Sequence, residues 1–196
     1  MMPLLRRFPI HRATAAACAL LTLFGASAAD NAKVAGGQAE RGRYLVNTSG
    51  CHDCHTPFKM GANGPEPDLG RMLSGHPEQL AMPPAPKLAE GPWLVVSSAT
   101  NTAYAGPWGV SFSANLTPDA DTGLGRWSAA QFKETIRTGR HQGRGRPILP
   151  PMPIPVYRNF SDADLEAIFS YLRTVPAVGN RVPEPVPPAA AAVAGK

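Results

Sequence analysis

The chain has 196 residues, enough for one ordinary domain and too few for a large barrel or a multi-domain machine. Its 22 prolines and 19 glycines make up about a fifth of the residues, and only 17% of residues are charged, so we expect many loops and few long helices. The 43% hydrophobic content excludes a disordered chain, and the formal net charge is +5.

The first 28 residues have the pattern of a secretory signal peptide. Three arginines precede the apolar run 13–24, and the small residues Ala26-Ser27-Ala28 form the expected cleavage site. The apolar run is too short for a permanent membrane anchor, and no later stretch is long enough to span a bilayer. Cleavage removes the three arginines and no acid, which lowers the formal charge from +5 to +2. We therefore predict a periplasmic protein without a transmembrane anchor, and the basic precursor is no evidence of nucleic-acid binding.

The N-terminal half of the mature chain is predicted to be one helix followed by irregular structure. Apolar residues at helical spacing predict a helix over 38–48. Seven prolines between residues 56 and 91 exclude a helix or a central strand there. Segments 93–98 and 108–113 are rich in β-forming residues and are predicted to pair as a hairpin.

The C-terminal half carries two helices with clear boundaries. Ser128 and Gln131 form a capping box that predicts a helix over 128–138. A second helix is predicted over 161–175, because its apolar residues form one stripe and acidic residues occupy its first turn. A proline-rich loop separates the two helices. The final residues 181–196 are rich in proline and alanine and are predicted to form a disordered tail.

Residues 51–55 read Cys-His-Asp-Cys-His, which matches C-x-x-C-H, the attachment site of c-type haem. Cys51 and Cys54 are three positions apart, so each thiol can add to one vinyl group of the same porphyrin. His55 follows directly and is then held beneath the iron as an axial ligand. The motif predicts one covalently bound haem c, with Cys51, Cys54 and His55 among its binding residues.

Three other uses of these residues compete with haem attachment. A disulfide between Cys51 and Cys54 suits an oxidising compartment but leaves His55 without a role. A thioredoxin-like redox pair needs a βαβ context that the sequence lacks. A zinc site needs further ligands at matching spacing, and the other histidines of the mature chain are scattered.

The second axial ligand has several candidates. Met152 lies in Pro150-Pro151-Met152-Pro153, where prolines hold the backbone extended and can present the thioether. Met82 lies in the similar Met82-Pro83-Pro84, and His76 is a further candidate. A methionine can also fill a gap in a hydrophobic core, so the residues alone leave the choice open.

The order of the predicted elements resembles a class I cytochrome c: helix, C-x-x-C-H, long loop, capped helix, Met-Pro loop and capped helix. Several motifs of the C-terminal half are similar to one haem domain of the cytochrome c subunits of alcohol, aldehyde and gluconate dehydrogenases. These motifs are Asn115-Leu116-Thr117-Pro118-Asp119, Thr122-Gly123-Leu124-Gly125, Trp127-Ser128, Phe132, Arg137 with Gly139, Pro151-Met152-Pro153, Tyr157, Ser161-Asp162, Asp164-Leu165 and Tyr171-Leu172-Arg173. The resemblance covers roughly residues 37–176.

The resemblance implies a mainly α cytochrome c fold over residues 37–178. A few short helices would surround one haem, with long loops rich in proline and glycine. It also implies that Met152 binds the iron opposite His55, and that residues 61–113 are an insertion that carries the small β-hairpin. Each of those dehydrogenase subunits resembles three such haem domains in tandem with a membrane anchor. This chain has a single C-x-x-C-H motif.

An iron held by His55 and Met152 has no open coordination site, which favours electron transfer over oxygen chemistry. We therefore predict a periplasmic electron-transfer protein rather than an enzyme, acting as a soluble carrier or as the haem subunit of an oxidoreductase. Its predicted partners are redox proteins, on the side of a periplasmic dehydrogenase or of a terminal oxidase. The alternatives are a haem-based gas sensor with a displaceable distal ligand, a dihaem-type peroxidase, and a small module closed by a disulfide.

Three further sets of side chains carry predictions. Apolar residues of the last two helices, together with the helix over 38–48, are expected to wall the haem: Phe132, Ile136, Leu165, Phe169 and Leu172. The tryptophans are expected to pack around the haem or under the insertion: Trp93, Trp108 and Trp127. A basic group near the Met-Pro loop either pairs with haem carboxylates, steers an acidic partner or is simply solvated: Arg137, Arg140, His141, Arg144 and Arg146.

Overall fold

The computed structural model describes residues 36–88 and 91–188. The predicted signal peptide, residues 1–28, and residues 189–196 of the predicted tail lie outside the described residues. Among the helices that are described, none has the length and apolar character needed to cross a bilayer.

The described residues form short helices and two small antiparallel sheets. The helices are α1 (36–48), α2 (Cys51–His55), α3 (Ala129–Thr138), α4 (Ile154–Tyr157) and α5 (Asp162–Leu172). The strands are β1 (Phe58–Gly61) with β2 (Gly64–Pro67), and β3 (Val96–Ser97), β4 (Ala103–Gly106) and β5 (Gly109–Phe112). Single turns of 3-10 helix span Leu69–Arg71 and His141–Gly143. The predicted mainly α fold with a small β element is therefore confirmed.

Helices α1 and α5 cross in direct backbone contact at Gly42. A Cβ atom at this position would overlap the carbonyl oxygen of Ala167 and lie 2.8 Å from the Cβ atom of Tyr171. Leu45 and Val46 of α1 are buried in the core that the two helices share with α3. The crossing thus depends on the absence of a side chain at Gly42.

Helix α3 begins and ends where the sequence predicts. The Ser128 side chain accepts a hydrogen bond from the backbone N–H of Gln131, and the Gln131 side chain accepts one from the backbone N–H of Ser128. Gly139 closes the helix in the left-handed region with φ 67°. The predicted capping box is therefore present, and a glycine follows the last residue of the helix.

Helix α5 starts as predicted at the Ser161 cap but ends at Leu172, three residues before the predicted end. Val175 precedes Pro176, and the residue before a proline is disfavoured in the helical region. Arg173 follows the last residue of the helix, and its guanidinium donates to the carbonyl oxygens of Leu124 and Gly125, at 3.2 and 2.5 Å. These contacts fix the loop before α3 against the end of α5.

Helix α4 lies in a segment predicted to be a loop. Its N-cap is Pro153, and Pro155 occupies the first turn, where the missing N–H would have no helical partner. The prolines that suggested a loop are therefore compatible with the start of this helix.

The hairpin of β1 and β2 contains Pro65 and Pro67, two of the prolines expected to exclude a central strand. Both prolines belong to a two-stranded ribbon and face Met60 and Phe58 across the ladder. The Phe58 N–H donates away from β2, to the carbonyl oxygen of Thr100 at 2.9 Å, so this pair makes no ladder hydrogen bond. By alternation the same holds for Met60 and Pro65, and neither proline removes a bond.

The insertion contains a three-stranded sheet in which β4 lies between β3 and β5. The predicted direct pairing of segments 93–98 and 108–113 is therefore wrong, although each contributes a strand. Strand β4 reads Ala-Tyr-Ala-Gly and has no β-branched residue, which is why no pattern in the sequence predicts it. A two-residue turn joins it to β5, where Gly106 pairs with Gly109.

Residues 181–188 are ordered, which corrects the prediction of a disordered tail for this part of it. Val186 and Val110 exchange backbone hydrogen bonds of 2.8 and 2.9 Å along the free edge of β5. The Arg181 N–H donates to the Glu78 carboxylate at 2.6 Å. The prolines keep this segment extended, the conformation that an edge strand can accept. We call residues 181–188 the C-terminal strap.

Candidate haem-binding site

The C-x-x-C-H motif forms helix α2, which begins after Gly50 in the left-handed region at φ 75°. Cys51, Cys54 and His55 occupy positions i, i+3 and i+4, which share one face of a helix. All three residues line the same cavity. The predicted attachment residues are therefore brought together by the local helix.

The cavity has a volume of about 890 Å³ and is mainly apolar. This volume lies in the upper part of the range for small-molecule and cofactor sites. Helices α3 and α5 supply most of the apolar wall: Phe132, Ile136, Leu165, Ile168 and Leu172. With thiols and an imidazole on one side, the cavity fits a porphyrin.

Two predicted parts of the wall lie behind it. Phe169 does not line the cavity but packs on Phe132, with ring centroids 5.5 Å apart. The described residues of α1 also contribute nothing to the lining, and Leu45 and Val46 instead pack in the core. Helix α1 therefore supports α5 rather than contacting the haem side.

The His55 ring is buried, and its Nδ1 atom lies 2.8 Å from the carbonyl oxygen of Ala114. A carbonyl oxygen can only accept, so Nδ1 carries the proton and Nε2 keeps its lone pair. Burial lowers the pKa of His55 below its ordinary value, which favours the neutral ring. A neutral imidazole with a free Nε2 is the form that binds iron.

Met152 is half-buried and lines the cavity, between Pro151 and Pro153. Its loop is held from two directions. The Ser111 hydroxyl of β5 donates to the carbonyl oxygen of Pro150 at 2.5 Å. The Tyr157 hydroxyl of α4 donates to the carbonyl oxygen of Ser49, just before the C-x-x-C-H motif.

His76 and the other methionines of the described chain do not line the cavity. Met82 is 37% exposed and Met60 is 77% exposed. Met72 packs against the hydrophobic core. His76 is fully buried, but Nδ1 lies 2.9 Å from the Thr102 hydroxyl and Nε2 lies 2.9 Å from the carbonyl oxygen of Leu80. Both of its ring nitrogens are therefore already engaged.

The competing uses of the two cysteines find no support in the described chain. Cys51 and Cys54 are not joined by a disulfide. No group of three or more His, Cys, Asp or Glu residues within 36–88 and 91–188 is arranged to hold a metal ion. Burial raises the pKa of the Cys51 thiol to about 11, so this thiol is protonated at neutral pH.

Three arginines line the cavity: Arg126, Arg146 and Arg181. Arg126 forms an ion pair with Asp121 at 2.6 Å, and Arg146 forms one with Glu184 of the C-terminal strap at 3.0 Å. Arg181 belongs to the same strap as Glu184. These cations are available to haem carboxylates.

The predicted basic group is divided by the structure. Arg137 binds Asp162 at 2.6 Å and also donates to the carbonyl oxygen of Arg158, so it ties α3 to the start of α5. Arg140 donates to the carbonyl oxygen of Gly145 within its own loop. Of the predicted group, only Arg146 and His141 line the cavity.

The three tryptophans lie in different environments. Trp127 lines the cavity and meets His141 edge to face, with ring centroids 5.0 Å apart. Trp108 donates its indole N–H to the Ser111 hydroxyl at 3.2 Å. Trp93 is 79% exposed, so the prediction that it packs around the haem or under the insertion is wrong.

Sequence reasoning missed Ala114, Ser111 and the C-terminal strap. Ala114 acts through its backbone carbonyl, which has no side-chain signature in a sequence. Ser111 lies in a strand that was predicted, but its contact with Pro150 spans 39 positions along the chain. Only the Asn115-Leu116-Thr117 motif pointed to this region, and it follows Ala114 directly.

Comparisons with known proteins agree with this site. The Cytochrome c family profile matches residues 39–176. The chain is 30% identical over 148 residues, 76% of its length, to the gluconate 2-dehydrogenase cytochrome c subunit of Pantoea cypripedii. It is 29% identical over 158 residues, 80% of its length, to the alcohol dehydrogenase (quinone) cytochrome c subunit of Gluconobacter oxydans. It is 26% identical over 134 residues, 68% of its length, to the fructose dehydrogenase cytochrome subunit of Gluconobacter japonicus.

The chain matches only part of each of these relatives. The matched region is 25% of the gluconate and alcohol dehydrogenase subunits and 20% of the fructose dehydrogenase subunit. The family profile nevertheless covers most of this chain, including the cysteines, the histidine and the Met-Pro loop. The chain therefore belongs to the cytochrome c family, whose members carry a covalently bound c-type haem and transfer electrons through it.

Proposed function

We propose that this chain is a periplasmic electron carrier with one haem attached to Cys51 and Cys54, and with His55 and Met152 as the axial ligands. The observation that carries the proposal is that these four residues line one cavity, in which the Nδ1 proton of His55 is bound to the Ala114 carbonyl. The protein acts as a soluble carrier or as the haem subunit of an oxidoreductase.

The residues of the cavity have distinct roles in this proposal. When bound, the haem supplies a one-electron couple between ferric and ferrous iron. Ala114 fixes the His55 tautomer and directs Nε2 into the cavity. The Met152 thioether is neutral and therefore favours the ferrous state, which raises the reduction potential. The apolar side chains of α3 and α5 exclude water and act in the same direction.

The arginines that line the cavity would hold the haem carboxylates. Cys51 and Cys54 would hold the haem by its vinyl side, so its two carboxylates would be free to meet other residues of the cavity. Arg126, Arg146 and Arg181 offer positive charge in the lining of the cavity. The carboxylates can pair with these arginines, which Asp121 and Glu184 already neutralise in part.

The partners are proposed from the relatives. Proteins similar to this chain are cytochrome subunits of gluconate, alcohol and fructose dehydrogenases. We propose that the haem accepts electrons from a periplasmic dehydrogenase and passes them towards a terminal oxidase. Residues 1–28 would direct export, and residues 37–178 would form the haem domain, with residues 61–113 as its insertion.

Mass spectrometry of the exported protein tests the attachment. The wild-type chain should gain the mass of one haem, and the Cys51→Ala, Cys54→Ala double variant should not. A wild-type mass equal to the bare peptide would refute the proposal.

Axial ligation is tested by ferric spectra of Met152→Ala, with Met82→Ala as the matched control. Met152→Ala should lose the methionine-to-iron charge-transfer band, and its ferrous form should bind CO. Met82→Ala should keep the band, because Met82 lies outside the cavity. If wild type lacks the band and binds CO readily, the carrier role is wrong and the haem is a gas-binding site.

A further inference from the structure

Residues 74–76 lie between His55 and the segment that carries its hydrogen-bond acceptor. The Gly75 N–H donates to the carbonyl oxygen of His55 at 2.8 Å. The His76 N–H donates to the carbonyl oxygen of Ser113 at 2.9 Å. The backbone of this segment, which we call the brace, thus binds the histidine on one side and the residue before Ala114 on the other.

Gly75 is the position in the brace that tolerates no side chain. Its φ angle is 77°, in the left-handed region that favours glycine. A Cβ atom there would overlap the carbonyl oxygen of Ser113 and lie 2.6 Å from both the carbonyl carbon and oxygen of Ala114. The Gly75 Cα therefore packs directly against the carbonyl that accepts from His55.

Asn180 holds the brace from its outer side. The Asn180 side chain is fully buried, and its Nδ2 atom donates to the carbonyl oxygens of Ser74 and His76 at 2.7 and 2.9 Å. Its Oδ1 atom accepts from Arg71 and from the Glu78 N–H, at 2.9 and 3.0 Å. All its hydrogen-bonding capacity is used to fix the loop that contains the brace.

We propose that Gly75 is a positioning residue for the proximal histidine. This inference rests on the proposed function, in which His55 binds the haem iron. Through the brace, Gly75 sets the position of the Ala114 carbonyl relative to the His55 ring, and so sets the strength of the Nδ1–H···O bond. That bond orients the imidazole and raises the basicity of Nε2.

The sign of the effect on the haem follows from ligand basicity. A more basic Nε2 stabilises ferric iron, so a strong bond to Ala114 lowers the reduction potential. Displacing the carbonyl weakens the bond and raises the potential. Water entering a loosened cavity would do the opposite, because ferric iron carries the larger charge and is better solvated. The direction of the shift therefore separates ligand tuning from simple loss of packing.

The test compares Gly75→Ala with Gly64→Ala in the full haem-loaded chain. Gly64 also has a positive φ, 113°, but a Cβ atom there meets no described atom within 4 Å, so the control reproduces the backbone strain without the clash. The first measurement is the hydrogen-exchange rate of the His55 Nδ1 proton, which NMR of the ferrous protein monitors. Gly75→Ala should exchange this proton roughly threefold to tenfold faster, as expected for the loss of one ordinary hydrogen bond. The second measurement is the midpoint potential, which should rise in Gly75→Ala and stay unchanged in Gly64→Ala.

A second variant covers the case in which Gly75→Ala does not fold. Asn180→Ala removes the outer support of the brace without a clash, and it should change both measurements in the same direction by a smaller amount. Unchanged proton exchange in the variant that folds, or a lower potential, would overturn the positioning role. Failure of the proposed function has a different signature: the wild-type ferrous protein would then lack His55 ring protons shifted by the porphyrin ring current.

Discussion

Two parts of the cavity differ in the groups that hold the site: α3 and α5 form one part, and β5, residues 113–116 and the C-terminal strap form the other. On the helical part, apolar side chains such as Leu165 and Ile168 face the haem side. On the other part, the decisive atoms are carbonyls, those of Ala114 and Pro150. Side-chain walls tolerate changes of similar volume, whereas backbone contacts tolerate no added atom. The size of a mutational effect should therefore follow the type of contact rather than the number of atoms changed.

The largest expected effect lies at a backbone contact behind the helical part, between Gly42 of α1 and helix α5. Gly42→Ala adds a methyl group where a Cβ atom overlaps the Ala167 carbonyl, and it should lower the free energy of unfolding by about 3 kcal/mol. Leu165→Met changes a fully buried side chain at nearly constant volume and should cost less than about 1.5 kcal/mol. Denaturant unfolding of both haem-loaded variants measures the difference. If Gly42→Ala loses less free energy of unfolding than Leu165→Met, backbone contacts are not less tolerant of change than side-chain packing.

The same distinction explains what could be predicted from the sequence. The capping box predicts α3, and the apolar spacing predicts α5. Both patterns are formed by side chains within or next to one helix. The positions of Cys51, Cys54 and His55 on one helix face follow equally from local spacing. Strand β4, the Ala114 acceptor and the C-terminal strap were missed because each depends on backbone pairing between segments distant in the chain. A sequence of side chains does not record which distant carbonyl a backbone N–H or an imidazole will meet.

The next largest effect is a dependence of the free energy of unfolding on pH, which arises from the buried His76 in the insertion. Burial lowers the pKa of His76 below its ordinary value of 6.5. Between the folded pKa and 6.5, the unfolded chain binds a proton that the folded chain does not, so stability falls as pH falls through this window and is fully present above it. For one proton the slope can reach about 1.4 kcal/mol per pH unit.

The variant His76→Gln isolates this slope. It removes the titrating group and keeps an amide that can contact Thr102 and Leu80. Unfolding free energies measured from pH 8 to pH 5 should decline more steeply for wild type than for the variant. His52, His55 and His141 also have lowered pKa values, so the comparison depends on the difference between the two slopes. Parallel slopes would show that His76 does not contribute.

A smaller effect is expected at Ser111, where a side chain supports the backbone of the Met-Pro loop. Ser111→Ala removes the hydroxyl that donates to Pro150, at a cost of about 1 kcal/mol. In the proposed ligation this loop presents Met152 to the iron, so the methionine-to-iron band of the ferric protein should disappear at a lower temperature. Ser97→Ala, an exposed position on β3 of the same sheet, is the matched control and should leave the band unchanged. Equal behaviour of the two variants would mean that Ser111 does not hold the loop.

The smallest effect is expected where the C-terminal strap is held by side chains. Glu184 is 81% exposed in its ion pair with Arg146, so Glu184→Gln should cost only about 0.5 kcal/mol. Backbone hydrogen bonds between Val110 and Val186 hold the strap independently of this pair. Amide exchange at these two residues should therefore accelerate by only about twofold in the variant, and salt should produce the same change in wild type.

A chain that ends at Asn180 lacks Val186 altogether, and its Val110 amide should lose its protection. If Glu184→Gln exposes Val110 as fully as the truncation does, the strap is held by the ion pair and not by the backbone hydrogen bonds.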